Sequence, residues 1–194
     1  MSAKPSSGRP LGFLVVGVDG SAGAVHALRW AAGVATRSGD RLVVIHAFEY
    51  LPPATVSSLG WTVRDRPRQL AAARRELTFC LSAVFGSAAA GEGSWTVDGL
   101  TVQGELQKGS AGAVLCAAAT GASQLVVGAR GRSLAAGLLL GSVSQLVAAH
   151  APCPVTVVRE LGQERRPAPE PRSGHDPVGV DAELRSGRTT DRYA

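Results

Sequence analysis

The chain has 194 residues, of which 45% are hydrophobic and 18% charged, and a formal net charge of +5, a balance that suits a soluble globular core. The basic residues are scattered, almost all are Arg, and no basic run interleaves with aromatics, so the charge reads as a solvated surface rather than a nucleic-acid face. No run of roughly 18 apolar residues offers a membrane span, and the opening MSAKPSSGRP lacks the apolar core of a signal peptide.

Only 5% of the chain is aromatic, so the core must be built from Val, Leu and Ala. That fits buried parallel strands covered by Ala-rich helices. Residues 1–10 are rich in Pro, Ser and Gly and are expected to be disordered. Phe13 to Val18 is a continuous apolar run, predicted as the first strand. Ser21 stands where a helix N-cap belongs, and Ala24, Leu28, Ala31, Ala32 and Ala35 follow at helical spacing. Gly39-Asp40 ends that helix, and Leu42 to Phe48 is the second strand. Leu51 to Asp65, with its Pro, Gly and Ser, reads as an irregular loop. Arg68 to Val84 is a second helix, followed by a Gly/Ser/Ala connection from Gly86 to Ser94.

Leu100 to Leu106 alternates as an edge strand does. Ala111 to Ala119 is an Ala-rich helix with a Ser110 cap, and Gln124 to Val127 is another strand. Leu139 to Ala149 is helical, and Val155 to Val158 is the last strand. Residues 161–194 carry Pro167, Pro169, Pro171 and Pro177, near-balanced charges and almost no apolar period, so they read as a disordered tail. The alternation of strands and helices implies right-handed crossovers: an α/β fold, one doubly wound domain with a parallel sheet between helices. Ligands of such sheets bind beyond the carboxyl ends of the strands, at the switch point. The loops to inspect follow Val18, Ala47 and Val127.

After Val18 comes Asp19-Gly20-Ser21. A carboxylate at a strand end can accept from a ligand hydroxyl or amine, or can simply help cap the next helix. After Val127 comes Gly128-Ala129-Arg130-Gly131-Arg132-Ser133. Glycines so spaced allow a tight turn and exposed N–H groups, which favour phosphate oxygens at a helix start, and Arg130 and Arg132 add positive charge. Gly141-Ser142-Val143-Ser144 follows, where Gly141 permits close approach and both hydroxyls could donate to phosphate; Gly137 and Gly141 could also be packing residues. No G-x-x-x-x-G-K-[ST] is present, and the first strand-to-helix turn lacks G-x-G-x-x-G.

On these residues the chain resembles the universal stress protein family. The matching pieces are Val16 to Ser21, Val44-Ile45-His46-Ala47, Val127 to Gly131, Leu140 to Ser144 and the closing Pro152-Cys153-Pro154-Val155-Thr156-Val157-Val158, together covering about 11–160. The spacing G-x2-G-x9-G-[ST] is that family's nucleotide signature. The resemblance implies a Rossmann-like, five-stranded parallel sheet in order 3-2-1-4-5, and ATP, with Mg²⁺, as the bound cofactor. It implies Gly17 and Asp19 at the adenine and ribose end and Ala47 lining the adenine slot with its backbone. Val127, Gly128, Arg130 and Gly131 would wrap ribose and phosphates, and Gly141, Ser142, Val143 and Ser144 would hold the phosphates. It also implies a homodimer, often through the last strand; Val155 to Val158 is an edge suited to pairing.

His26, His46, His150 and His175 show no metal-ligand spacing; His46, at a strand end, could approach a ligand, but reads more readily as a satisfied buried imidazole. Cys80, Cys116 and Cys153 each sit in an apolar stretch and read as small buried thiols in a reducing cytosol. No nucleophilic triad is recognisable. The expectation is a cytoplasmic ATP-binding stress-response regulator or sensor rather than an enzyme, with at most slow ATP hydrolysis. The alternatives are a nucleotide-independent homodimeric module of the same fold and, third, an adenine-nucleotide hydrolase. The hydrolase would need an S-G-G-x-D-S loop where this chain has Asp19-Gly20-Ser21-Ala22-Gly23.

Overall fold

The computed structural model describes residues 12–50, 66–86, 91–131 and 139–159. The two expected tails, the 51–65 loop, and Arg132, Ser133 and Gly137 lie outside the described residues. The strands are β1 (Phe13–Gly17), β2 (Arg41–Phe48), β3 (Gly93–Val97), β4 (Leu100–Lys108), β5 (Gln124–Gly128) and β6 (Val155–Val158). The helices are α1 (Ala22–Ser38), α2 (Arg66–Phe85), α3 (Ala111–Ala118) and α4 (Ser142–His150).

The strands form one six-stranded sheet in the order β3-β4-β2-β1-β5-β6. The five strands expected from the sequence occur in the expected parallel order, with Val15 beside Val43 and Leu125, and Ile45 beside Glu105. The sixth, β3, was not expected: it pairs antiparallel with β4, from Val97 opposite Leu100 to Gly93 opposite Gly104. Its turn is Asp98-Gly99, with φ of 48° and 82°. Two successive positive φ values suit the right-handed twist of a hairpin, and Asp-Gly is a sequence signal for it. As a result β4 is not the edge on that side of the sheet.

Side chains alternate across the sheet and supply two cores. Leu14, Val16, Leu42, Val44 and Val126 face α1 and α2, against Leu28, Leu77, Cys80 and Leu81. Val15, Val43, Ile45, Leu125 and Val127 face α3 and α4, against Leu115 and Val147. Burying each such Val or Leu contributes roughly 1.5–3 kcal/mol, so strand alternation decides which loop residues face which layer. Ser21 caps α1 by accepting from the Ala24 N–H at 3.1 Å. Gly39, at φ 75°, ends that helix, with its N–H on the Ala35 carbonyl. Leu139 and Leu140 precede rather than begin the last helix, whose N-cap is Gly141. The cysteines are unpaired; Cys80 is buried, whereas Cys116 and Cys153 are only half-buried.

Candidate functional site

Crossovers leave β1 toward β2 on one side and reach β5 on the other, so the loops after β1 and β5 diverge around a crevice at the carboxyl ends. A cavity of about 390 Å³ lies there, and the eleven site residues that the family resemblance implied all line it. Gly17 and Asp19 come from the end of β1, Ala47 from β2, and Val127, Gly128, Arg130 and Gly131 from β5 and its exit. Gly141, Ser142, Val143 and Ser144 come from the start of α4.

The cavity has an apolar part and a polar part. Ile45, Ala47, Leu115 and Val127 supply apolar wall. The polar part holds Arg130 and the first turn of α4. Gly141 caps α4 without a side-chain hydrogen bond. The leading N–H groups of a helix have no intrahelical partner and carry its positive dipole end. With no side-chain acceptor supplied, Ser142, Val143 and Ser144 present that end to the cavity. The Gly141 N–H itself is used, donating to the Ala129 carbonyl at 2.8 Å. Ser110 at the start of α3 also makes no side-chain cap bond, and Ala111, the next residue, lines the cavity. The start of α1 differs, because Ser21 fills it.

Of the two roles considered for Asp19, the structure shows the bracing of the α1 cap and places the residue at the cavity. Its Oδ1 accepts from the Ser21 N–H at 3.0 Å and from Ser21 Oγ at 2.6 Å, bracing the α1 cap, while the residue lines the cavity.

One expectation for the site is corrected. Ser144 does not offer its hydroxyl to a ligand: it is 3% exposed and donates to the carbonyls of Gly128 at 2.8 Å and Ala129 at 3.2 Å. A hydroxyl has one proton, so Ser144 ties α4 to the β5 exit, and the exposed Ser142 is the hydroxyl left for a ligand. Gly128, Gly131 and Gly141 are not among the positive-φ positions. A Cβ on Gly128 would press on the Gly23 backbone at 3.0 Å, and one on Gly131 would meet Asp19 Oδ2 at 2.5 Å. Close approach of the β5 loop to α1 and Asp19 is what excludes side chains. Gly17 makes room for Leu115, whose Cδ1 would lie 2.6 Å from an added Cβ.

Sequence reasoning missed Val18, Ala24, Ile45, Ala111, Leu115 and Leu140 as lining residues. Ile45 was within reach, being two residues from Ala47 on the same strand face. Ala111 and Leu115 follow β4 at the same end of the sheet, but carry no glycine or charge to mark them. His46 is buried as expected, with Nδ1 at 2.8 Å from the Val18 carbonyl and Nε2 at 3.2 Å from Glu76 Oε2. Among the described residues, no three His, Cys, Asp or Glu side chains group as metal ligands, and no helix is long and apolar enough to cross a membrane.

The fold and cavity define a doubly wound α/β protein with a cavity at the switch point of its sheet. The model of the universal stress protein family matches residues 14–159, and the chain belongs to that family. It is 35% identical over 147 residues to a Thermus aquaticus universal stress protein, covering 75% of this chain and 97% of that one. It is 32% identical over 184 residues to universal stress protein Rv1996 of Mycobacterium tuberculosis, covering 90% of this chain but only 55% of the relative. The chain thus spans about half the length of the mycobacterial relative. A solved universal stress protein from Archaeoglobus fulgidus superposes with a TM-score of 0.52 at 25% identity, covering 74% of this chain and 96% of that one.

Proposed function

We propose that this chain is an ATP-binding universal stress protein, a cytoplasmic regulator or sensor of the stress response. The observation that carries the reading is the convergence on one cavity of an apolar slot, Arg130 and an α4 start without a side-chain cap. The slot suits a flat base. The helix start and Arg130 suit phosphate oxygens, as charge-assisted hydrogen bonds to anions do elsewhere. Mg²⁺ arriving with ATP would be held mainly by phosphates and water. Among the described lining residues Asp19 is the carboxylate, and its Oδ1 is engaged by Ser21, which supports at most slow hydrolysis. Free thiols at Cys80, Cys116 and Cys153 fit a reducing compartment.

The same proposal includes a homodimer across β6, which among the described residues hydrogen-bonds to β5 alone and so offers an edge for pairing. The test of ATP binding is direct. The purified protein is heat-denatured and the supernatant assayed for nucleotide, with ATP then titrated into the stripped protein. Copurified ATP or micromolar binding is expected; neither would remove the reading.

A further inference from the structure

His46 stands between two residues that line the cavity, Ile45 and Ala47, yet its own ring turns to the opposite face of the sheet, as strand alternation requires. There it is 3% exposed and meets Glu76 of α2, whose Oε2 lies 3.2 Å from Nε2. Gly20, one residue past Asp19, packs on the same Glu76: a Cβ there would meet Glu76 Cγ at 3.2 Å. The helix therefore supports both the ring and the loop. On its other side the ring reaches the Val18 carbonyl, 2.8 Å from Nδ1. A carbonyl only accepts, so Nδ1 carries the proton of this bond.

That bond falls where the β1–β2 ladder would otherwise continue. The Val18 N–H donates to the Ile45 carbonyl at 2.9 Å, and the next rung of a parallel ladder would send the Ala47 N–H to the Val18 carbonyl. Here the His46 ring takes that carbonyl instead. Val18 is consequently gripped at its N–H by Ile45 and at its C=O by His46, just before the chain turns into Asp19.

We infer that His46 is a positioning residue of the site: it ends the β1–β2 ladder one rung early, fixes the exit carrying Asp19, and releases the Ala47 N–H toward the apolar part of the cavity. This rests on the nucleotide reading and deepens it: the His46 ring keeps out of the ladder the backbone N–H of Ala47, which the resemblance already placed at the adenine slot. The role is indirect, because His46 does not line the cavity.

The test compares wild type, His46→Asn and His46→Leu. Asn can place an amide N–H near the position of Nδ1, whereas Leu keeps the bulk and removes the donor. Titration with ATP should show His46→Asn within about threefold of wild type and His46→Leu weaker by roughly tenfold, the usual worth of one neutral hydrogen bond. In the ligand-free proteins, scalar coupling across a hydrogen bond between the Ala47 amide nitrogen and the Val18 carbonyl carbon should be absent in wild type and appear in His46→Leu. Wild-type affinity in His46→Leu overturns the inference and leaves the nucleotide reading standing. If wild type binds no ATP, that reading fails, and the coupling alone decides the role of His46 at the strand exit: its presence in wild type overturns the role, and its appearance only in His46→Leu supports it.

Discussion

Gly131→Ala separates close approach from mere spacing. A Cβ on Gly131 stands 2.5 Å from Asp19 Oδ2, about 1 Å inside the roughly 3.4 Å at which carbon and oxygen meet without strain. The carboxylate must swing away by about that much. Its Oδ1 bonds to the Ser21 N–H and Oγ are 3.0 and 2.6 Å long, and a swing of about 1 Å takes both past hydrogen-bonding length. Bonds to a charged group contribute about 1.5–3 kcal/mol each. Asp19 is only half-buried and regains water, so a net loss of about 2 kcal/mol is expected. For a domain of this size that is a fall in Tm of about 4–8 °C. Gly141→Ala is the control. Its Cβ would meet Ala129 O and Arg130 Cα at 3.6 Å, an ordinary contact, and its Tm should stay within about 2 °C of wild type. Scanning calorimetry reads both, and ATP titration should show Gly131→Ala weaker by roughly tenfold or more. Equal Tm values for the two variants would refute the close-approach argument.

Ser144→Ala removes the donor to the Gly128 carbonyl and should cost about 1–3 kcal/mol in urea unfolding; a cost below about 0.5 kcal/mol would deny the tie between α4 and the β5 exit. Burial pushes the Cys80 thiol up from 9.0 to about 11. Because the unfolded thiol loses its proton first, this contribution is complete below pH 9 and is lost as pH rises through 11. Cys80→Ala should therefore lose less stability than wild type over that alkaline range, by roughly 2–3 kcal/mol at most, and parallel pH profiles would contradict it. Between β5 and β6, Leu125 N–H donates to Pro154 O and Ala129 N–H to Val158 O, so the ladder turns the Val157 N–H of β6 away from β5. Val157→Pro should turn a dimer into a monomer by light scattering while sparing the sheet, and an unchanged mass above that of a monomer would place the interface elsewhere.

The parallel core was legible because Val15, Val43 and Val126 sit in continuous apolar runs that only buried strands satisfy. β3 was not. Its residues Gly93 and Ser94 are small and exposed, and Gly93 to Val97 lacks an apolar run; the Asp98-Gly99 turn was the available signal. The site was legible through its glycines and serines, whose spacing marks where backbone must come close. Spacing carries no direction, however. It does not reveal that Ser144 turns back to the Gly128 carbonyl, or that Gly131 is small because Asp19 is beside it. Ala111 and Leu115 form wall through their place in the fold rather than through any chemistry of their own.

Nucleotide is proposed to fill the cavity between the β1 and β5 exits. The measurement that tests this most directly is an ATP titration of the stripped, isotope-labelled protein, followed at the backbone amides. Saturable shifts at Asp19, Ala47, Gly131, Ser142 and Val143, with micromolar affinity, are the expected result. No shift at those amides at millimolar ATP, or shifts confined to other surfaces, would contradict it.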